Sequence, residues 1–293
     1  MEYFGKSYKI GAVIVLYNPT EDMLNNCINS IVAQVDEVCV IDNSAKDNKS
    51  RFHINSSNVH YEPLTTNVGI AAAQNIGIRY FKDKDFDFVI FSDQDSTSPN
   101  HLVKSLVESY LSLSAKVNIS CIGPMPVNRK TRQPYLYKQC ILDKREDLGI
   151  AYYVMHSIIS SYSLVPMDNF STVGLMDERL FIDFVDQEWC WRAAKNNGKV
   201  CVMLPKVEIE HELGVSSKFM GHNINVSSPF RIYFQTRNLL WLCRKPYVPA
   251  YWKKMNMKKI VVKFFYYSIV PKDRLRYCFR MLKGFYDGMV KHL

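Results

Sequence analysis

Apolar residues along this chain fall into short blocks whose period switches between two and three-to-four. YKIGAVIVLYN is a continuous apolar run ending in a turn at Asn18-Pro19, which predicts a strand buried on both faces. Thr20 then caps a stretch where Met23, Leu24, Cys27, Ile28, Ile31 and Val32 recur at helical spacing. EVCVID predicts a second strand, followed by the polar loop NSAKDNKS, and NVHYEP a third. GIAAAQNIGIRYF predicts a helix whose small residues permit close packing, FDFVIF a further strand, and Ser98-Pro99 the start of another helix. Strands alternating with helices predict an α/β fold, a mainly parallel sheet covered on both faces.

The second half is less regular. AYYVMHSIISSYSLVP predicts two strands in a mixed sheet, Pro166 to Gly174 a short helix, and DQEWCWRAAKNNG a helix stopped by Gly198. KVCVMLP and VEIEHELG predict short strands, and Ser228-Pro229 opens a longer helix, SPFRIYFQTRNLLWLCRK. There is no internal repeat and no low-complexity segment.

Composition adds bounds to this picture. The 293 residues are 47% hydrophobic, ample for one large core, with or without an appendage. The eight cysteines form no CxxC pair, no N-terminal stretch reads as a signal peptide, and no run of 18 apolar residues exists. These features point to reduced, mostly buried thiols in a cytoplasmic protein without a membrane span.

Charge divides the chain. Residues 231–293 hold 15 Lys/Arg against 2 Asp/Glu and 14 aromatics, whereas residues 1–230 hold 22 against 26. The expected organisation is therefore an α/β domain over 1–230 and a helical basic, aromatic region over 231–293. Three readings of that region compete: an amphipathic surface on anionic lipid, ordinary helical packing, or a nucleic-acid patch. No nucleic-acid module is visible, so no nucleic-acid partner is expected.

Open α/β sheets bind ligands at the carboxyl ends of their strands. That rule gathers Asp42-Asn43, Asn67-Val68-Gly69 and Asp93-Gln94-Asp95 at one edge, and no GxGxxG follows the first strand. If the strand continues through Gln94 as a spacer, Asp93 and Asp95 point to the same side. Their repulsion would then be relieved by a hard divalent cation, Mg²⁺ or Mn²⁺; the competing reading is an Asp-rich turn. In FIDFVDQEWCWR, Asp186 reads either as a helix N-cap or as a general base, Glu188 as a first-turn charge, and Asp183 is left unexplained by capping. His211 ends a strand, and Arg231, Tyr233 and Arg237 share a helix that is either a solvated face or a phosphate clamp.

In this order, VIVLYNP, VIDNS, NVGIAAAQNIGI, DQDS, VGLMDERLFIDFVDQEWCWR, HELG and RIYFQTRN resemble the family 2 inverting glycosyltransferases, which have the GT-A fold. Over roughly residues 8–245 the similarity is greatest to bacterial rhamnosyltransferases of surface polysaccharides. The resemblance implies that Leu16, Tyr17 and Asn18 line the nucleotide pocket, that Asp42 reads the base, and that Asn67 and Gly69 flank the nucleotide. It implies Asp93 beside ribose and metal, Asp95 on the metal-diphosphate, His211 completing the metal site, and Arg237 facing diphosphate or acceptor. Asp186 matches the second residue of the family's Glu-Asp pair and would be the base; Val185 stands where the family has Glu, which leaves Asp183 as a second candidate. The implied reaction moves L-rhamnose from dTDP-L-rhamnose to a lipid-linked glycan at the inner face of the bacterial cell membrane. A UDP-hexose or UDP-N-acetylhexosamine donor is the alternative, and a non-catalytic nucleotide- or glycan-binding subunit the rival from another class.

Overall fold

A computed structural model describes residues 1–51, 56–136, 138–211, 216–219 and 221–291. Glu2–Tyr3 and Lys6–Ser7 form a small antiparallel ribbon, after which strands and helices alternate. The first half runs β1 (Ile10–Leu16), α1 (Glu21–Ile31), β2 (Glu37–Asp42), β3 (Val59–Pro63), α2 (Ile70–Lys82), β4 (Phe88–Asp93) and α3 (Leu102–Leu113). The second continues through β5 (Ile119–Asn128), β6 (Ile141–Asp147), β7 (Ile150–Met155), β8 (Leu164–Pro166), α4 (Met167–Thr172), α5 (Val185–Asn197) and β9 (Val200–His211). A ribbon of β10 (Ser216–Phe219) and β11 (His222–Asn225) precedes α6 (Pro229–Arg244), α7 (Ala250–Ile269) and α8 (Arg274–Val290).

The nine-stranded sheet has the order β3-β2-β1-β4-β8-β5-β9-β7-β6. β3, β2, β1 and β4 are mutually parallel, and β5 pairs parallel with β9. β8 is reversed between β4 and β5, and β7 is reversed against β9 and β6, so the sheet is mixed and mainly parallel, as expected. Period-two geometry explains the unbroken apolar runs. In β1, Ile10, Ala12, Ile14 and Leu16 enter the core under α1 and α3, while Val13 enters the core on the face of α2 and α5.

Three departures from the sequence pattern have physical causes. β5 carries Gly123, Pro124 and Pro126, which disguise a ten-residue strand. β9 is one strand rather than two, with a register shift between Leu204 and Glu208 next to Pro205. α3 starts at Leu102, after a turn in which the Leu102 N–H donates to the Pro99 carbonyl and His101 takes a left-handed φ of 63°.

Leu239, Trp241 and Leu242 of α6 and Trp252 of α7 share the core under α5. α8 packs along α6, and α7 and α8 leave Val261, Phe265, Ile269, Leu275, Phe279 and Phe285 exposed, with Val261 and Phe285 lining an apolar groove between α6, α7 and α8. Cys27, Cys39, Cys121, Cys190 and Cys201 are buried, and all eight cysteines are unbridged thiols.

Candidate active site

β1 and β4 end side by side, and their ends are joined by a side chain. The Tyr17 N–H donates to Gln94 Oε1 at 2.7 Å, and Gln94 Nε2 donates back to the Tyr17 carbonyl at 3.3 Å. Gln94 is therefore a tie between strand ends and not a spacer. β4 stops at Asp93, and the Ser96 N–H closes the following turn on the Asp93 carbonyl at 3.1 Å. Asp93 is half-buried, whereas Asp95 is exposed and lines a cleft of about 280 Å³ with Asp22, Asn26, Arg129 and Glu210. The two carboxylates thus flank a turn, in place of the single strand face expected for them. Leu16 also needs correction: its side chain is wholly core, because inward register on β1 sends it under α1. Tyr17 is exposed, and Asn18, at a left-handed φ of 47°, donates its N–H to Ser44 Oγ at 2.8 Å.

Asp42 is buried and its carboxylate organises the loop after β2. Oδ1 accepts from the Ser44 N–H at 3.1 Å, and Oδ2 accepts from Asn48 N–H and Nδ2 and from the Tyr61 hydroxyl at 2.6 Å. Burial works to raise its pKa, but these donors outweigh it and hold the carboxyl below the usual range. Asn43 ties this loop to the next strand end, donating to Asn67 Oδ1 at 3.0 Å and accepting the Val68 N–H at 2.8 Å. Asn67 Oδ1 also accepts the Gly69 N–H at 3.0 Å.

Gly69 sits at the start of α2 with φ of 88°, pressed against the loop that leads into α5. The Phe181 carbonyl accepts the Ile70 N–H at 2.7 Å, so that loop occupies the helix N-terminus. Phe181 itself has φ of 66° and ψ of −62°, with the Ile182 N–H donating to the Leu180 carbonyl at 2.7 Å. This is the rare, strained form of γ-turn. Asp183 and Phe184 follow at φ of 67° and 68°. Three left-handed or strained non-glycine conformations within four residues persist only where surroundings over-determine them. Here they do: Asn75 of α2 donates to the Met176 carbonyl and accepts the Met176 N–H, each at 2.9 Å. From the other side, Asn238 of α6 donates to the Leu180 and Ile182 carbonyls, each at 2.8 Å.

The two carboxylates this loop presents have different surroundings. Asp183 is forked onto Arg231, with Nη2 to Oδ1 at 2.7 Å and Nε to both oxygens at 3.0 Å. Asp186 stands in the first turn of α5, whose cap residue is Phe184, so it is not the N-cap. It accepts backbone donors, among them the Gln187 N–H at 2.8 Å and the Ser160 N–H at 3.2 Å, and no side-chain donor among the described residues. Burial pushes its carboxyl up to about 6, with the Asp93 charge adding to the rise and the two N–H groups opposing it. Asp93 also acts electrostatically on Arg231, so Asp93, Asp183, Asp186 and Arg231 form one neighbourhood at the sheet edge.

Arg237 does not join that neighbourhood. Its guanidinium donates to the Arg179 and Leu180 carbonyls at 2.6 and 3.1 Å and lies 4.1 Å from the Trp241 ring centroid, bracing the loop from behind. His211 ends β9, and its side chain lies outside the described residues. Glu188 pairs with Arg192 at 2.9 Å and accepts from Tyr247, and Trp189 and Trp191 are both core. No sequence signal pointed to Ser160, whose backbone N–H reaches Asp186 from the loop between β7 and β8.

Residues 12–174 match the family described as Glycosyl transferase family 2. The chain belongs to this family. As a family 2 glycosyltransferase it is 34% identical over 291 residues to "dTDP-rhamnosyl transferase RfbF" of Shigella flexneri, covering 96% of this chain and 95% of that protein. "Low-salt glycan biosynthesis hexosyltransferase Agl10" of Haloferax volcanii is 24% identical over 202 residues, 64% of this chain and 62% of that one. Among solved structures, GalNAc-T7 with UDP, GalNAc and Mn²⁺ shares the fold with a TM-score of 0.56 at 18% identity, over 92% of this chain and 58% of that chain. TarS 1-349 of S. aureus in complex with UDP-GlcNAc does so with a TM-score of 0.56 at 15% identity, over 96% of this chain and 81% of that one.

Proposed function

We propose that this glycosyltransferase moves L-rhamnose from dTDP-L-rhamnose to a hydroxyl of a lipid-linked surface-polysaccharide precursor, inverting the anomeric carbon. The observation that carries the donor is the 34% identity, over 96% of the chain, to a protein named as a dTDP-rhamnosyl transferase. In the reaction the acceptor oxygen attacks the anomeric carbon while the bond to the diphosphate breaks and its electron pair leaves with the phosphate. Asp186 takes the hydroxyl proton. It is favoured over Asp183 because Asp183 has both oxygens engaged by the Arg231 guanidinium, whereas Asp186 meets no cationic partner and no side-chain donor among the described residues, only backbone N–H groups.

The carboxylates of Asp93 and Asp95 are hard oxygen donors at the same sheet edge, which fits a divalent cation, Mg²⁺ or Mn²⁺, with His211 as a third candidate ligand. Such an ion supplies charge stabilisation to a departing diphosphate. A thermal-shift panel tests donor and cation together. dTDP-rhamnose with Mn²⁺ should raise stability by about 2.7 kcal/mol at a hundredfold excess over Kd, and EDTA should remove most of that gain. UDP-hexoses or UDP-N-acetylhexosamines shifting the transition more than dTDP-rhamnose would replace the donor, and a shift insensitive to EDTA would remove the cation.

For location, no helix among the described residues is long and apolar enough to cross a membrane. The exposed apolar residues of α7 and α8 stand among an excess of Lys and Arg, the combination that suits peripheral attachment to anionic lipid at the cytoplasmic face. The enzyme should co-sediment with phosphatidylglycerol vesicles and not with phosphatidylcholine vesicles, and binding should weaken as salt rises. Equal binding to both, or to neither, would remove the membrane partner.

A further inference from the structure

α7 faces two ways. Val261, Phe265 and Ile269 are exposed, whereas Lys263 is half-buried where α7 meets α6 and lies within electrostatic reach of Asp183. The Lys263 ammonium donates to Gln235 Oε1 at 2.7 Å, and no carboxylate among the described residues lies within ion-pair distance of it. Its charged neighbours are Asp183, Arg231 and Lys259. Among the described residues that act on Lys263, two are cations and one a carboxylate, and that carboxylate is already forked onto Arg231. Burial brings the Lys263 ammonium down to about 8, which Asp183 only partly resists. A desolvated ammonium without an anion is costly to keep. Arg231 also answers to the Asp93 charge, which links the cluster to the strand-end edge.

We infer that Lys263, with Arg231 and Lys259, forms a seat for a phosphate group beside the transfer site. A compact ammonium next to a planar guanidinium fits phosphoryl oxygens, and a bound phosphate would supply the anion that Lys263 lacks. The seat rests on reading the neighbourhood of Asp186 as the place of transfer. Two substrates carry the right chemistry: the diphosphate of the nucleotide sugar and the phosphate that joins the acceptor glycan to its lipid.

The test compares the full-length enzyme with Lys263→Met and Lys263→Arg. Binding of dTDP and thymidine, and in parallel of UDP and uridine, is measured by calorimetry, and KM is measured for an acceptor with and without its phosphate. A charge-assisted hydrogen bond is worth enough that its loss should weaken binding about tenfold or more. If the donor diphosphate is the ligand, Lys263→Met weakens dTDP or UDP by that factor and leaves the nucleoside unchanged. If the acceptor phosphate is the ligand, diphosphate binding holds and KM rises only for the phosphate-bearing acceptor. Lys263→Arg should recover most of either loss, and the melting temperature of Lys263→Met should not fall. The inference is overturned if every constant stays within about twofold, or if phosphate-free ligands lose as much as phosphate-bearing ones. The calorimetric arms need no turnover, so they read the seat even if Asp186 proves not to be the base, and the paired nucleotides read it even if the donor base is misassigned.

Discussion

Replacing Asp186 by Asn should lower kcat by roughly two to four orders of magnitude while donor affinity stays nearly unchanged. Asn keeps the size of the side chain and its Oδ1 can still accept the closer Gln187 N–H, so the first turn of α5 is preserved, while the longer contact from the Ser160 N–H, made to the other carboxylate oxygen, is given up. What it loses is the ability to take a proton. The pH profile gives a second reading of the same group. Its carboxyl is raised to about 6, chiefly by burial, and only the ionised form is a base. kcat/KM should therefore fall as pH drops through about 6, approaching tenfold per unit below it. A carboxylate in this range is better suited to general-base work near neutrality than an unperturbed one, because proton transfer to it is less uphill. Asp183→Asn is the discriminating control: it breaks the fork to Arg231 and should leave the limb near 6 in place. If Asp186→Asn retains full turnover, or the limb near 6 survives it and disappears with Asp183→Asn, the base is Asp183.

Much of this arrangement was legible in the sequence, and the parts that were not share a cause. Buried parallel strands announce themselves as apolar runs, so β1, β2 and β4 and the edge that their ends define followed from pattern alone. The turn chemistry did not. Asp93-Gln94-Asp95 read as strand continuing through a spacer, because sequence gives no sign that Gln94 turns back to bond the Tyr17 backbone. Arg237 and Arg231 lie on one helix and carry the same charge, yet one braces carbonyls of the 179–180 turn and the other meets Asp183. That difference is set by contacts 48 to 58 residues away in sequence, beyond any local pattern. Motif order supplied the family, whereas the assignment of individual side chains required the tertiary contacts. Lys263 shows the same point most clearly: in sequence it is one lysine among many in a basic helix, and only its burial beside Gln235 singles it out.

Gly69→Ala should be the most damaging single-methyl change in the protein. A Cβ at this position would stand 2.6 Å from the Phe181 carbonyl oxygen and 2.7 Å from its ring, and the backbone φ of 88° disfavours any L side chain. Neither neighbour can retreat easily. The Phe181 carbonyl bonds the first N–H of α2, and its ring stacks on Phe234 with centroids 4.6 Å apart. Clash and backbone strain together should cost about 2–4 kcal/mol, which for a chain of this size lowers Tm by roughly 5–15 °C. Activity should suffer further in the molecules that stay folded, because the displaced loop carries Asp183 and leads directly into Asp186. A shift of about 1 Å there can reduce turnover a hundredfold. Gly149→Ala separates the two causes: it also has a positive φ, 76°, but nothing within 4 Å of its would-be Cβ. It should show backbone strain alone, about 1 kcal/mol, with kcat intact. Equal melting shifts in the two variants, with turnover retained in both, would mean that the contact between Gly69 and Phe181 does not hold the catalytic loop in place.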